Sequence, residues 1–133
     1  MFIITKFRKY LDLFFKISNF IIVILYLYPG SILGWIIYGN LKLQPQLTGD
    51  FLSLSSNHFY TFLILSFIAV LSYSNNSKKL NYIFLYLFFI SIILELAHLV
   101  IPNRSYQFED LIGNITGVIV SYILIKFYEF IRR

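Results

Sequence analysis

Four long apolar runs constrain this chain more than any other feature of its sequence. They cover residues 17–38, 51–73, 80–101 and 111–127, and each is close to the roughly 20 residues that a helix needs to cross a bilayer. Of the 133 residues, 59% are hydrophobic and 13% are charged, whereas roughly a quarter are charged in a soluble domain. We therefore predict an all-α integral membrane protein, a four-helix bundle formed by a single domain over residues 1–133.

The first run contains residues that interrupt helices. Basic residues precede it, as in a signal peptide, but no small-residue cleavage pattern follows, so we expect the run to be retained. Pro29 removes one backbone hydrogen bond, and together with Gly30 and Gly34 it predicts a helix that bends or ends early. The longest connection is predicted at 39–50, and a tight turn at 75–77.

The basic residues divide unevenly between the two predicted sides of the membrane. Positively charged loops stay in the cytoplasm, so the side with more lysine and arginine is predicted to be cytoplasmic. Both termini then lie in the cytoplasm, and 39–57 and 102–109 lie outside. The cytoplasmic side holds Lys6, Arg8, Lys9, Lys16, Lys78, Lys79, Lys126, Arg132 and Arg133, and the outer side holds Lys42 and Arg104.

Composition and missing motifs exclude several functions. The chain has no cysteine, which excludes disulfides, thiolate metal sites and a cysteine nucleophile. The net charge of +5 comes from segments that flank apolar runs, so it indicates topology and predicts no nucleic-acid partner. No Gly-x-Ser-x-Gly elbow, Gly-rich phosphate loop or dinucleotide fingerprint occurs, and we predict no cofactor.

Ionisable residues gather at the predicted outer ends of three helices. A charged side chain inside a membrane costs several kcal/mol unless it meets water or a partner, so such residues usually mark a site. Glu95 and His98 are three residues apart on one helical face, and Asp110 and Asn114 share a face at a spacing of four. His58 lies at the outer end of the second predicted helix, at a similar depth. We predict that these groups face one external pocket.

Small residues in the fourth helix predict close packing. Gly113, Gly117 and Ser121 recur at a spacing of four residues. Small side chains let two helix backbones approach each other in a membrane. We expect this stripe to pack against a neighbouring helix.

The polar residues admit a structural and a functional interpretation. In the structural one, Glu95 pairs with Arg104 and His98 donates to a backbone carbonyl, while Glu109 and Asp110 complement a helix dipole. In the functional one, Glu95, His98 and Asp110 transfer protons as catalytic residues.

Substrate binding in the functional interpretation falls to His58, Arg104 and Asn114, with Arg104 holding an anionic group bidentately. A metal bound by His58, Glu95, His98 and Asp110 is chemically allowed. Nothing in the sequence shows that these side chains converge, so we predict no metal.

The order and spacing of these residues resemble the signature of VanZ-like membrane proteins. In that family a glutamate is followed three residues later by glutamine or histidine, then by Pro-x-Arg and by Asp-x-x-x-Asn-x-x-Gly. His58, Phe59 and Phe62 resemble its His-Phe segment, but this chain has Leu54 and Ser55 where the family commonly has Asp-Lys. The matching residues are Glu95-Leu96-Ala97-His98, Pro102-Asn103-Arg104, Asp110, Asn114 and Gly117.

The resemblance implies a bacterial envelope protein with an external polar cluster, and identifies no reaction. We predict a multi-pass protein of the bacterial cytoplasmic membrane that binds or modifies an anionic lipid-linked envelope molecule at the outer face. Whether it is an enzyme stays open. One alternative is a non-catalytic structural or assembly subunit of a larger membrane complex, with membrane-protein partners, and another is a small transporter or channel component. A water-accessible pocket at the polar cluster favours ligand chemistry, and a closed network favours a structural role.

Overall fold

The computed structural model describes residues 2–46 and 48–131, with side chains described from residue 7 onward, and all its long regular elements are helices. Within these ranges there is no strand. Four of the helices are long and apolar enough to cross a membrane, which confirms the predicted all-α membrane fold. The five helices are α1 (Phe2–Leu27), α2 (Ile32–Tyr38), α3 (Ser56–Tyr73), α4 (Ser77–Ala97) and α5 (Phe108–Ile131).

The four long helices alternate in direction. Tyr26 near the end of α1 contacts His58 at the start of α3, and Asp12 near the start of α1 contacts Tyr73 at the end of α3. We call the end where α1 and α4 finish and α3 and α5 begin the His58 end, and the opposite one the Asp12 end. Lys42 and Arg104 lie at the His58 end, whereas the other described basic residues lie toward the Asp12 end. Which end faces the cytoplasm stays a prediction, and Lys6, Arg132 and Arg133 lie outside the described side chains.

The predicted early end of the first helix at Pro29 is confirmed, but the bounds 17–38 are wrong for a single helix. The first helix begins at Phe2 and ends at Leu27, because Pro29 lacks an N–H and Gly30 has a φ of +102° that favours glycine. The chain then turns, and α2 forms a separate short helix with Ser31 as its N-cap. Apolar content alone did not distinguish the spanning helix α1 from α2, an apolar segment that folds back after the turn.

Two other boundaries also differ from the predicted runs. The second spanning helix begins at Ser56 rather than at residue 51, because Leu52 and Ser53 have positive φ values that do not continue a helix. The fourth begins at Phe108 and continues to Ile131, beyond the predicted limits of 111 and 127. Lys126 lies inside the helix and pairs with Glu129 at 2.9 Å.

Helices α3 and α5 make the closest approach of the bundle. A Cβ atom added to Gly117 would lie 2.5 Å from the Phe59 carbonyl oxygen and 2.9 Å from the Leu63 nitrogen. A Cβ atom on Gly113 would lie 2.7 Å from the Ser55 carbonyl oxygen. The stripe of small residues therefore lies against α3 and holds the beginnings of α3 and α5 side by side.

Candidate functional site

The site begins at the interrupted end of α1. The last carbonyl groups of a helix have no partners within the helix, and here the break at Pro29 leaves them inside the bundle. Arg104 donates from Nη2 to the Leu25 carbonyl at 2.5 Å and from Nε to the Tyr28 carbonyl at 3.2 Å. His98 Nε2 lies 3.1 Å from the Tyr26 carbonyl and donates to it, because a carbonyl only accepts. The helix end is thus closed by two of the predicted site residues.

Glu95 lies behind His98 and is fully buried. Its Oε1 accepts a hydrogen bond from the Gln107 backbone nitrogen at 3.2 Å and lies 3.2 Å from His98 Nδ1. Since His98 Nε2 already donates to a carbonyl, the contact at Nδ1 requires a further proton, on either the imidazole or the carboxyl group. Among the described residues Arg104 forms no ion pair with Glu95, so that part of the structural interpretation is wrong. The histidine contact with a carbonyl is present, and Glu109 and Asp110 lie in the first turn of α5.

A second acid and imidazole pair lies beside the first. His58 Nδ1 is 2.9 Å from the Tyr26 hydroxyl and 3.1 Å from Asn114 Oδ1, and the hydroxyl itself donates to Oδ1 at 2.7 Å. Asn114 Nδ2 donates to the Ser91 carbonyl at 3.3 Å, which turns Oδ1 toward Tyr26 and His58. Nδ1 of His58 is therefore the protonated nitrogen that donates to these oxygens.

The other nitrogen of His58 faces a carboxylate. Nε2 lies 3.4 Å from Asp110 Oδ2. In a neutral imidazole protonated on Nδ1, Nε2 carries a lone pair, and so does the Asp110 oxygen that it faces. These two lone pairs repel each other unless a proton or another cation lies between them. His58 and Asp110 thus form a pair whose contact depends on a shared positive charge.

Three possible metal ligands converge at this point. One ligand atom each from His58, Glu95 and Asp110 lies within 4.8 Å of the others, and His98 is not part of the group. Glu95 Oε2 is buried without a hydrogen-bond partner and lies 3.8 Å from His58 Nδ1. The sequence showed no such convergence, because the three residues come from three different helices.

Two cavities adjoin the polar cluster. The larger, which we call the apolar cavity, measures about 320 Å³ and has a wall formed by Ile22, Leu25, Ile32, Leu33, Ile37 and Pro45. The smaller, the polar cavity, measures about 170 Å³ and is lined by Lys42, Asn103, Ser105, Gln107 and Asp110 among others. Both are lined by Ser31, Gln44, His98 and Arg104.

The guanidinium of Arg104 lies at the junction of the two cavities. Burial lowers the pKa of Arg104 from its ordinary value, although a guanidinium remains protonated in proteins at neutral pH. Nη1 donates to Gln44 Oε1 at 3.4 Å, so a residue of the loop after α2 also contacts this group. A permanent positive charge therefore stands where the apolar and polar cavities meet.

A family model described as VanZ/LLP1 matches residues 5–129, which is almost the whole chain. The chain belongs to the VanZ/LLP1 family. No curated protein and no solved structure matches it. The family match and the four apolar helices identify an integral membrane protein.

The structure places the predicted site residues of this VanZ/LLP1 protein at one end of the bundle. His98, Arg104 and Asp110 line the polar cavity, whereas Glu95 lines neither cavity. His58 lines the apolar cavity. The cluster is therefore partly an open site and partly a closed network behind it.

Sequence reasoning missed Tyr26 and the contribution of α2. Tyr26 is one of 11 tyrosines, and nothing in the sequence marks it apart from its position one turn before Pro29. Asp50 Oδ1 accepts a hydrogen bond from the Ser56 nitrogen at 3.0 Å. It therefore caps α3 in this VanZ/LLP1 protein.

Proposed function

We propose that this VanZ/LLP1 protein binds an anionic lipid-linked molecule of the cell envelope, with the anionic group in the polar cavity and the lipid chain in the apolar cavity. The observation that carries the proposal is the pair of adjoining cavities with a shared wall at His98 and Arg104. An amphiphile needs such a pair, because its two parts require opposite surroundings. The charge bias supports a position of this site at the outer membrane face.

The apolar cavity suits the first part of a lipid chain. Its volume of about 320 Å³ is at the lower end of the roughly 300–1,000 Å³ range of small-molecule sites. Ile37 of α2 lines the cavity and is itself exposed on the bundle surface. The remainder of a long chain can therefore extend past α2 into the surrounding bilayer.

The polar cavity suits a phosphate group. Arg104 and Lys42 are both at its wall, and a phosphate accepts charge-assisted hydrogen bonds from such groups. Arg104 has five N–H donors, and three of them donate to Leu25, Tyr28 and Gln44. Among the described contacts, two donors remain for a ligand.

If the bound molecule is also modified, Asp110 is the residue best placed to exchange a proton with it. Its side chain is 14% exposed, lines the polar cavity and contacts His58 on the other side. Glu95 has no access to the cavity, and both nitrogens of His98 already have partners. Modification of the bound molecule would use Asp110 for proton transfer, with His58 behind it.

A structural or assembly subunit is the second candidate. The observation that favours it is the closure of the α1 end, where Arg104 and His98 bind backbone carbonyls of a neighbouring helix. In that case the polar residues specify helix packing, and no amphiphile needs to bind. The two candidates differ in what they predict for ligand binding.

The test is titration of the purified protein in lipid nanodiscs with a short-chain polyprenyl phosphate. Polyprenol, which lacks the phosphate, and inorganic phosphate, which lacks the chain, are titrated in parallel. We expect polyprenyl phosphate to bind at least tenfold more tightly than either part. Equal binding of polyprenol and its phosphate would contradict the proposed headgroup site, and no saturable binding would favour the structural candidate.

Two variants and a matched control separate the two cavities. Lys42→Gln removes a cation from the polar cavity and should weaken binding of the phosphate form alone. Ile37→Asn places an amide in the apolar cavity and should weaken both lipids several-fold. Ile36→Asn changes the neighbouring exposed isoleucine, which does not line the cavity, and should change neither. An equal effect of Ile36→Asn and Ile37→Asn would contradict the position of the chain.

A further inference from the structure

We propose that His58, Glu95 and Asp110 bind one divalent transition-metal ion. The three residues belong to α3, α4 and α5, and the structure brings one ligand atom of each within 4.8 Å of the other two. Such an ion could bind with or without a lipid in the cavities. The distances between the ligand atoms, the orientation of the His58 ring and the unpartnered Glu95 oxygen all favour it.

The distances already approach those of a coordinated ion. Metal bonds to imidazole nitrogen and carboxylate oxygen of about 2.1 Å imply a separation of roughly 3.4 Å between ligand atoms in a tetrahedral site. His58 Nε2 and Asp110 Oδ2 are 3.4 Å apart. Glu95 offers one carboxylate oxygen within 4.8 Å of the other two ligand atoms, and its Oε2 lies 3.8 Å from His58 Nδ1.

The surroundings of His58 match those of a metal-binding histidine. Such a histidine almost always donates its second ring N–H to a protein oxygen, which fixes the tautomer and the ring orientation. Nδ1 of His58 has this contact with Asn114 and Tyr26, so the lone pair of Nε2 points toward Asp110. Glu95 is held in a similar way, because Oε1 accepts from the Gln107 nitrogen.

The unpartnered oxygen of Glu95 is independent evidence for a bound cation. Oε2 is fully buried and has no hydrogen-bond partner, and among the described side chains only the Ser66 hydroxyl shares this condition. A buried carboxylate oxygen without a partner loses its hydration without compensation, and buried charges are usually paired or coordinate metals. Two carboxylates and a neutral imidazole also balance the charge of a divalent ion.

The ligand types restrict the metal. One nitrogen and two oxygen donors without sulfur suit Zn²⁺, Mn²⁺, Fe²⁺ or Co²⁺, whereas Cu⁺ prefers sulfur and Mg²⁺ and Ca²⁺ prefer oxygen alone. Asp110 also lines the polar cavity, so remaining coordination positions of the ion would face that cavity. Water or an anionic oxygen can occupy them.

The test is titration of the full chain in nanodiscs with Co²⁺, with no polyprenyl lipid added. We expect visible absorption bands that saturate near one ion per chain and that Zn²⁺ abolishes. Because the metal replaces protons on the ligands, affinity should rise with pH. Absence of saturable binding near one ion per chain would overturn the proposal and would leave the lipid titration unaffected.

Variants identify the ligands. Asp110→Asn and His58→Gln should each weaken Co²⁺ binding at least tenfold, whereas Glu109→Gln, which changes the exposed neighbouring carboxylate, should not. X-ray absorption of the zinc-loaded wild-type protein should show one imidazole ligand, and this measurement needs no variant to fold. Zero or two imidazoles, or unchanged binding in Asp110→Asn, would overturn the assignment.

Discussion

The two ends of the bundle each carry a polar cluster, and they differ in how fully its groups are paired. At the Asp12 end, Lys16 Nζ lies 2.6 Å from Asp12 Oδ2, and the Tyr73 hydroxyl donates to Oδ1. Lys79 approaches the same carboxylate at 3.9 Å and stands 4.3 Å from the Tyr73 ring centre. At the His58 end, Glu95 is fully buried and one of its oxygens has no partner.

This difference separates a structural cluster from a candidate site. The Asp12 cluster links α1, α3 and α4 through a carboxylate whose two oxygens are both paired, and its lysines reach solvent. Such exposed ion pairs contribute about 0–1 kcal/mol each. At the His58 end, the ionisable side chains of His58 and Glu95 are buried, and one Glu95 oxygen has no hydrogen-bond partner. Two cavities adjoin this cluster. We therefore assign ligand chemistry to that end.

We expect the two ends to differ most in which side of the membrane they face. A reporter active only outside the cytoplasm should give signal when fused near Gln46 and Ser105, and none at Ser77 or Arg133. The basis is the position of nine of the 11 basic residues toward one side. Signal at Arg133 would invert or disprove the four-span topology, and a cytoplasmic reporter at the same positions is the control.

The next largest effect is expected from Gly117→Leu at the His58 end. A side chain there meets the Phe59 carbonyl oxygen and the Leu63 nitrogen, both backbone atoms that cannot move independently of α3. Overpacking typically costs about 1–3 kcal/mol and sometimes more, so the protein should be depleted from the membrane several-fold by immunoblot. Gly49→Leu is the control, because nothing lies within 4 Å of a Cβ atom at Gly49. Normal accumulation of Gly117→Leu would contradict the close approach of α3 and α5.

Replacing Glu95 with alanine tests the buried network directly. Glu95→Ala leaves the Gln107 nitrogen without its acceptor and His98 Nδ1 without its hydrogen-bond partner. Removing one partner of a buried charged pair typically costs about 3–5 kcal/mol. Denaturant unfolding in detergent should show a loss of this size. A loss below about 1 kcal/mol would mean that the network contributes little to folding.

The matched change at the other end, Asp12→Ala, should have the smallest effect. Its lysine partners remain solvated, and only the Tyr73 hydroxyl loses a partly buried acceptor. We expect a loss of about 1 kcal/mol in the same unfolding experiment. A cost equal to that of Glu95→Ala would remove the distinction between the two ends.

The predictability of the site differs from residue to residue. Glu95 and His98 share one helix, so their contact followed from a spacing of three residues. The contacts of Tyr26 with His58 and Asn114 join three helices, and no local spacing encodes them. The structural interpretation paired Arg104 with Glu95, but the end of α1 supplies carbonyl acceptors that only the folded bundle brings within reach of Arg104.

The membrane fold and the number of spanning helices were determined by the sequence itself, because transfer into a bilayer depends on the summed hydrophobicity of local segments. The polar residues of the site were also visible, since ionisable groups are rare in such segments. Tertiary structure decided which of them meet. The rotation and depth of each helix depend on packing between helices, which no local segment encodes. The break at Pro29 and the return of α2 form the wall of the apolar cavity. The packing of α3 against α5 helps to bring His58, Glu95 and Asp110 together.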